Sequence, residues 1–221
     1  MINVGLKGSF VADASISFKK VCIGLLDVVY AEVYTSGKIT RDFDENAVTE
    51  VLVARMNHHP YAMERHITAE TEKRLLPEGF KDPIFSVNNV YRIDIMIGGF
   101  GWSKEEYRIS CYMEAKNLYS KSFTKLNNKN PTSPSKYAQR YIKTGIDHIL
   151  NGNYPSDTLL LGYVLVGTVH DVVEMINKQL INASRNSETI HFRSAIGISN
   201  LELGVSKHSQ GVMIEHCFLL F

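Results

Sequence analysis

The chain lacks most of the features that announce a specialised class of protein. Its only cysteines are Cys22, Cys111 and Cys217, an odd set with no Cys-x-x-Cys pair. A disulfide framework and a thiolate zinc site are therefore not indicated, and reduced thiols in a cytoplasmic protein are expected. No apolar run is long enough to span a bilayer, and the first residues lack the charged and apolar parts of a signal peptide. Net charge is also missing: 24 Lys and Arg stand against 23 Asp and Glu. A near-neutral chain does not declare itself a nucleic-acid binder, so any such case rests on local charge. There is no internal repeat, no compositional break and no nucleophile elbow. What remains is ordinary for a globular protein, with 44% apolar and 21% charged residues in 221, enough for one large domain or two small ones.

Hydrophobic periodicity supplies the elements. An early helix is expected over 18–37, from apolar positions 21, 25, 28, 29 and 33, and a clearer one over 44–57, capped by Asp42 or Asp44. Strands follow at 65–72, 89–97 and 106–116, the last two joined by a turn with Gly98, Gly99 and Gly101. Pro77, Gly79 and Pro83 mark a loop between the first two. Residues 117–134, rich in Asn and Lys, read as a mobile loop. A helix from Pro134 or Ser135 to Leu150, a strand at 158–166, a helix at 169–183 and strands at 189–197 and 211–220 complete the chain. One α/β domain with a central mixed sheet flanked by helices is the simplest account.

One segment carries chemistry. Asp94 sits between Ile93 and Ile95, where an uncompensated carboxylate is costly. Strand alternation turns Ile93, Ile95 and Ile97 to the core and Asp94 to the opposite face. The next strand ends Glu114-Ala115-Lys116, with Glu114 and Lys116 sharing a face. Two carboxylates and the Ala115 carbonyl offer hard oxygen ligands to Mg²⁺, with Mn²⁺ as the alternative. Lys116 would orient or deprotonate an attacking water and offset charge developing on a phosphate. Glu-x-Lys occurs once in the chain and Asp-x-Lys not at all. A solvated surface strand with cross-strand ion pairs is the competing account of the same residues.

With Asp94, Glu114-Ala115-Lys116 and the order helix–strand–strand–strand–helix–strand, residues 44–166 resemble the PD-(D/E)XK nuclease superfamily. The resemblance implies a restriction-endonuclease-like fold of core order αβββαβ with an additional C-terminal helix and strands. It divides one nuclease-like domain, 1–221, into an N-terminal extension (1–40), a catalytic core (44–166) and a C-terminal part (167–221). It further implies a metal-dependent deoxyribonuclease, an endonuclease in restriction or phage defence. Asp94 and Glu114 would hold metal and Lys116 would act on water. Ile93 stands where many members have Pro. An acidic residue from the first helix joins the site in many members; Glu45 fits that place and Glu50 is its rival. Gln139 on the following helix matches in part a Gln that arranges the site in the exonuclease-like branch, with Lys143 one turn later. Cutting both strands needs two active sites, so a homodimer is expected, with a regulatory or defence-system protein as a further partner.

Local charge supports a polyanion substrate, DNA or RNA. From Lys116 to Lys143 there is no acidic residue, while Lys121, Lys125, Lys129, Lys136, Arg140 and Lys143 follow Lys116. Tyr119, Phe123, Tyr137 and Tyr141 are interleaved as candidates for stacking on bases. His58-His59, His208 and His216 have no companions that complete a metal set. Trp102 reads as packing, or as a wedge at a turn. Two non-enzymatic accounts stand beside the nuclease: a binding protein with a vestigial or regulated site, and an α/β scaffold subunit.

Overall fold

The computed structural model describes residues 4–75, 91–99, 109–126 and 128–221. Helix α1 spans Val4–Ser36 and α2 Glu45–His58, followed by a short α3, Pro60–Glu64. Strands β1 (Ile67–Arg74), β2 (Arg92–Gly99) and β3 (Ile109–Tyr119) come next. Helix α4 (Pro134–Arg140) runs through a π-helical segment, Tyr141–Ile146, into α5, Asp147–Leu150. Then follow β4 (Leu159–Val166), α6 (Val169–Asn182), β5 (His191–Arg193), β6 (Glu202–Lys207) and β7 (Met213–Leu220). One mixed sheet has the strand order β1-β2-β3-β4-β7-β6-β5, with β3, β4 and β7 parallel at its centre and antiparallel pairs on either side.

Two apolar layers close over this sheet. On one face α1 and α2 bury Leu25, Leu26, Val29, Val48 and Leu52 against Ile95, Ile97, Met113 and Ala115. On the other, the α4–α5 run and α6 bury Tyr141, Ile146, Val172 and Ile176 against Met96, Leu118, Leu160 and Phe218. Period-2 alternation in β3 therefore sends Met113 and Ala115 toward α1 and α2, and Glu114 and Lys116 toward the α4 side. Gly162 of β4 pairs with Lys116, and a Cβ there would come within 2.7 Å of Leu118, so only glycine fits between the neighbouring side chains.

The structure narrows one expectation and corrects others. Asp44, not Asp42, caps α2, accepting the Ala47 N–H at 2.8 Å, while Asp42 takes the Leu126 N–H at 2.9 Å. Helix α1 starts at Val4, well before residue 18; Gly5 and Gly8 mask it because glycine is a poor helix former. β3 continues through Asn117, Leu118 and Tyr119 because its pairing with β4 runs on to Val166. The supposed mobile loop is pinned: Thr132 N–H donates to the Phe123 carbonyl at 2.7 Å and the Thr132 hydroxyl accepts the Phe123 N–H at 3.1 Å. β6 was hidden by Gly204 and by Lys207; β5 is only three residues long. Residues 89–90, Gly101, Trp102, residues 106–108 and the loop of Pro77, Gly79 and Pro83 lie outside the described residues. No helix among the described residues is long and apolar enough to cross a membrane.

Asp27 ties the C-terminal part to α1. It is buried, and its carboxylate accepts the N–H groups of Asn200 and Leu201 at 2.8 and 2.9 Å and the Asn200 side-chain amide at 2.9 Å. Those donors replace the water that a buried carboxylate loses.

Candidate functional site

The site forms where the sheet splits. β2 and β3 pair from Gly99–Ile109 to Ile95–Met113 and no further. Beyond that point β3 stays paired to β4 on one side only, so its other edge presents backbone groups that need partners. Side chains provide them. The Asp94 carboxylate accepts the Ala115 N–H at 2.7 Å, and Glu45 accepts the Asn117 N–H at 3.0 Å. The Ala115 carbonyl accepts from the Lys116 ammonium at 2.6 Å. Glu45 reaches the strand because it is the first residue of α2, placed there by the Asp44 cap. The Phe43 carbonyl, just before that cap, accepts from the Asn117 amide at 3.1 Å.

Four oxygens thus converge on one nitrogen. Lys116 Nζ contacts Glu114 Oε1, lies 3.4 Å from Glu45 Oε1 and 3.7 Å from Asp94 Oδ2, and donates to the Ala115 carbonyl. Asp94, Glu114, Ala115, Lys116 and Glu45 are therefore brought together, and Glu50 is exposed on α2 away from them. Glu114 and Lys116 are each only 4% exposed. Burial pushes the Glu114 carboxyl up to about 8, against the pull of Lys116, and Asp94 adds to the rise. Burial pulls Lys116 down, but Glu114, Glu45 and Asp94 together outweigh it and hold the ammonium above its usual range. Lys116 is thus protonated near neutral pH, which suits it to donate hydrogen bonds, not to take a proton from water.

The donor set fits a hard divalent cation. It consists of carboxylate and carbonyl oxygens, and the buried Glu114 carboxylate faces only Lys116 and the neighbouring Tyr154 phenol. The oxygens are, however, gathered for an ammonium. Among the described residues no group of three or more His, Cys, Asp or Glu stands in metal-ligating geometry. The reason is visible in the contacts: Lys116 Nζ fills the centre that the oxygens surround.

Residues with no signal in the sequence complete the surroundings. Tyr154, from the loop before β4, is buried beside Glu114: burial, then the Glu114 charge, raises its phenol above the usual range. Tyr154, His148 and Tyr91 stack edge to face with centroids 5.3–6.2 Å apart. Burial and then Lys116 lower His148, whose Nδ1 has no partner. No spacing links Tyr91, His148 and Tyr154 along the chain; only the fold brings them together.

Of the basic residues, three line a groove of about 690 Å³ beside the site: Lys136, Arg140 and Lys143, with Gln139 on the same wall. Arg140 also reaches the carboxylates, with Nη2 at 3.1 Å from Glu45 Oε1. Lys121 and Lys129 are exposed and are not part of the groove. Lys125 points inward and donates to the Phe43 carbonyl at 3.1 Å. Of the interleaved aromatics, Tyr119 and Tyr141 are buried, whereas Phe123 and Tyr137 are half-buried against Tyr119 at 5.1 and 4.5 Å, and Tyr137 lines the groove.

A second polar cluster lies away from these groups. Glu188 accepts from His208 Nδ1 at 2.7 Å, His208 Nε2 meets the Ser206 hydroxyl at 2.7 Å, and Ser206 meets His216 Nε2 at 2.8 Å. Tyr141 OH joins His216 Nδ1 at 2.8 Å. A Ser–His–Glu arrangement was not legible in the sequence, yet Ser206 and His216 have no exposed surface, so no substrate meets this serine. Both imidazoles are held low by burial, His216 at about 3. As neutral rings they satisfy every donor in a single direction: Tyr141 to His216, His216 to Ser206, Ser206 to His208, and His208 to Glu188.

No family model matches the chain, and no curated protein or solved structure matches it.

Proposed function

We propose that this chain is a divalent-metal-dependent nuclease of the PD-(D/E)XK kind, with a restriction-endonuclease-like core over residues 44–166. The observation that carries this reading is the convergence of Asp94, Glu114, Glu45 and the Ala115 carbonyl on Lys116 at the split edge of β3. The order α2, β1, β2, β3, α4, β4 supports it, as does the basic groove alongside.

In this reading Asp94, Glu114 and the Ala115 carbonyl hold Mg²⁺ or Mn²⁺, with Glu45 assisting. The ion, when bound, polarises the phosphodiester and lowers the pKa of water. Lys116, held protonated by its carboxylate neighbours, donates to the phosphate oxygens as negative charge develops on them. Lys136, Lys143 and Arg140 hold the sugar–phosphate backbone in the groove. The substrate is DNA, with RNA as the alternative, and a two-fold dimer would present two sites for a double-strand cut. A role in restriction or phage defence rests on the family resemblance alone.

The test is incubation of the purified protein with Mg²⁺ or Mn²⁺ and plasmid, single-stranded DNA and RNA, beside Asp94→Ala and Lys116→Ala. Metal-dependent cleavage by the wild type and its loss in both variants is expected. Absence of cleavage on all three substrates would overturn the reading.

A second reading has its own observation. Asp94 and Glu45 already serve the fold by capping the free edge of β3, and Lys116 already neutralises them. A chain that binds nucleic acid in the groove without cutting it would show salt-dependent binding that Asp94→Ala leaves unchanged.

A further inference from the structure

Arg140 belongs to two places at once. Its guanidinium lines the basic groove together with Lys136 and Lys143, and it also donates to Glu45 Oε1 at 3.1 Å. The two ends of this pair are unequally exposed: the Arg140 side chain is 51% exposed and that of Glu45 only 13%. Glu45 is fastened by other donors, the Asn117 N–H at 3.0 Å and Lys116 at 3.4 Å. Arg140 is therefore the partner that water and ions reach, and the one held weakly. Among the described residues Lys136 and Lys143 carry no ion pair, so the groove has uncompensated positive charge next to Arg140.

We propose that the Arg140–Glu45 pair is a latch that a nucleic-acid phosphate opens, so that polyanion binding in the groove raises the affinity of the carboxylate cluster for a divalent cation. This rests on the metal-site reading above and adds its regulation. A phosphate drawn in by Lys136 and Lys143 offers Arg140 a doubly hydrogen-bonded, charge-assisted partner, which a guanidinium prefers to a shared carboxylate oxygen. Without the latch, Glu45, Asp94 and Glu114 face one cation, Lys116, instead of two. Glu45 Oε1 then keeps only its contact with Lys116 at 3.4 Å, and the cluster attracts a divalent ion more strongly. Linkage makes the effect reciprocal: the cation strengthens phosphate binding by the same factor. The chain would thus load its metal mainly when a substrate strand lies in the groove.

The experiment is calorimetric titration of Mn²⁺ into wild type, Arg140→Gln and Lys207→Gln, each alone and with a phosphorothioate oligodeoxynucleotide, after thermal unfolding has confirmed that each variant folds. For the wild type the oligonucleotide should tighten Mn²⁺ binding at least about 5-fold. Arg140→Gln alone should already bind Mn²⁺ more tightly than the wild type by a similar factor and gain less from the oligonucleotide. Lys207→Gln removes the same charge from β6, outside both groove and cluster, and its Mn²⁺ affinity should stay within about twofold of the wild type, because a remote exposed charge is screened. Unchanged affinity in Arg140→Gln, or an equal rise in Lys207→Gln, overturns the latch while leaving the metal site standing. A wild type that binds no Mn²⁺ with or without the oligonucleotide overturns the metal site itself.

Discussion

The Asp94 carboxylate, one residue past Ile95, accepts at 2.7 Å the N–H of Ala115, two residues past Met113, where the last β2–β3 backbone pair (Ile95–Met113) ends. A side chain here takes over a ladder bond that the diverging strand gives up. The same act turns the carboxylate toward Glu114 and Lys116. Structural and chemical roles are therefore joined in one residue, and tests must separate them.

Asp94→Asn and Asp94→Ala provide that separation. Asn keeps an acceptor for the Ala115 N–H, whereas Ala leaves that donor unmet at a cost of ~1–3 kcal/mol. In a chain of this length Ala should lower Tm by roughly 2–4 °C per kcal/mol, and Asn by clearly less. Both should abolish metal-dependent cleavage. Equal losses of Tm would show that the hydrogen bond contributes nothing to the fold.

Lys116→Met should be strongly destabilising, by ~3–5 kcal/mol, because it strands buried carboxylates without their cation. If the ammonium occupies the place of a metal, Mg²⁺ or Mn²⁺ should raise the Tm of Lys116→Met more than that of the wild type. Thermal unfolding across a metal series reads this directly; an equal shift in both proteins contradicts the shared position.

The basic residues should divide by role. Lys136→Gln and Lys143→Gln should each weaken oligonucleotide binding and reduce the slope of log affinity against log salt by ~1. Lys125→Gln should leave that slope unchanged and lower Tm instead, since its ammonium holds the Phe43 carbonyl at 3.1 Å. Binding measured from low to moderate salt, beside melting curves, distinguishes the two groups.

The buried imidazoles set a pH dependence of stability. Burial holds His216 at about 3 and lowers His208 in the folded state. The unfolded chain binds these protons near pH ~6.5. It therefore carries more protons than the folded chain below that value. Their stabilising contribution is complete above pH ~6.5 and is lost as pH falls, for His216 by ~1.4 kcal/mol per pH unit. His216→Phe should be less stable at neutral pH, because Tyr141 and Ser206 lose a partner, yet show a shallower loss between pH 6 and 4. Denaturant unfolding at several pH values measures the slopes; identical slopes would remove His216 as the group that takes up the proton.

Much of the site was legible because it is local. Glu114 and Lys116, two apart on a strand, share a face by period-2 geometry, and Asp94 lies close by in sequence; Ile93, however, packs in the layer opposite to Ile95 and Ile97. Glu45 enters through the family resemblance alone, with Glu50 as its rival on the same helix, α2. Its choice over Glu50 needed the cap assigned to Asp44 instead of Asp42, and a cap is a tertiary event: Asp42 is drawn off to the Leu126 N–H. Two of the four aromatic residues misled, since alternation with lysines suggests an exposed binding strip. Tyr119 and Tyr141 are instead core residues of β3 and the π-helical segment.

By itself the sequence determined the α/β class, the order of the longer elements from α2 to α6 and the Asp94, Glu114 and Lys116 set, because helix and strand periodicity are written within a few residues. Only the tertiary structure decided that β2 leaves β3 at Asp94, that Lys116 lies at the centre of three carboxylates, and that Arg140 bridges groove and site. It also decided that Glu188, Ser206, His208 and His216 form one buried chain of hydrogen bonds. These are long-range contacts between elements, set by which sheet edges lose their partners and which helices cover them. No short-range pattern encodes that.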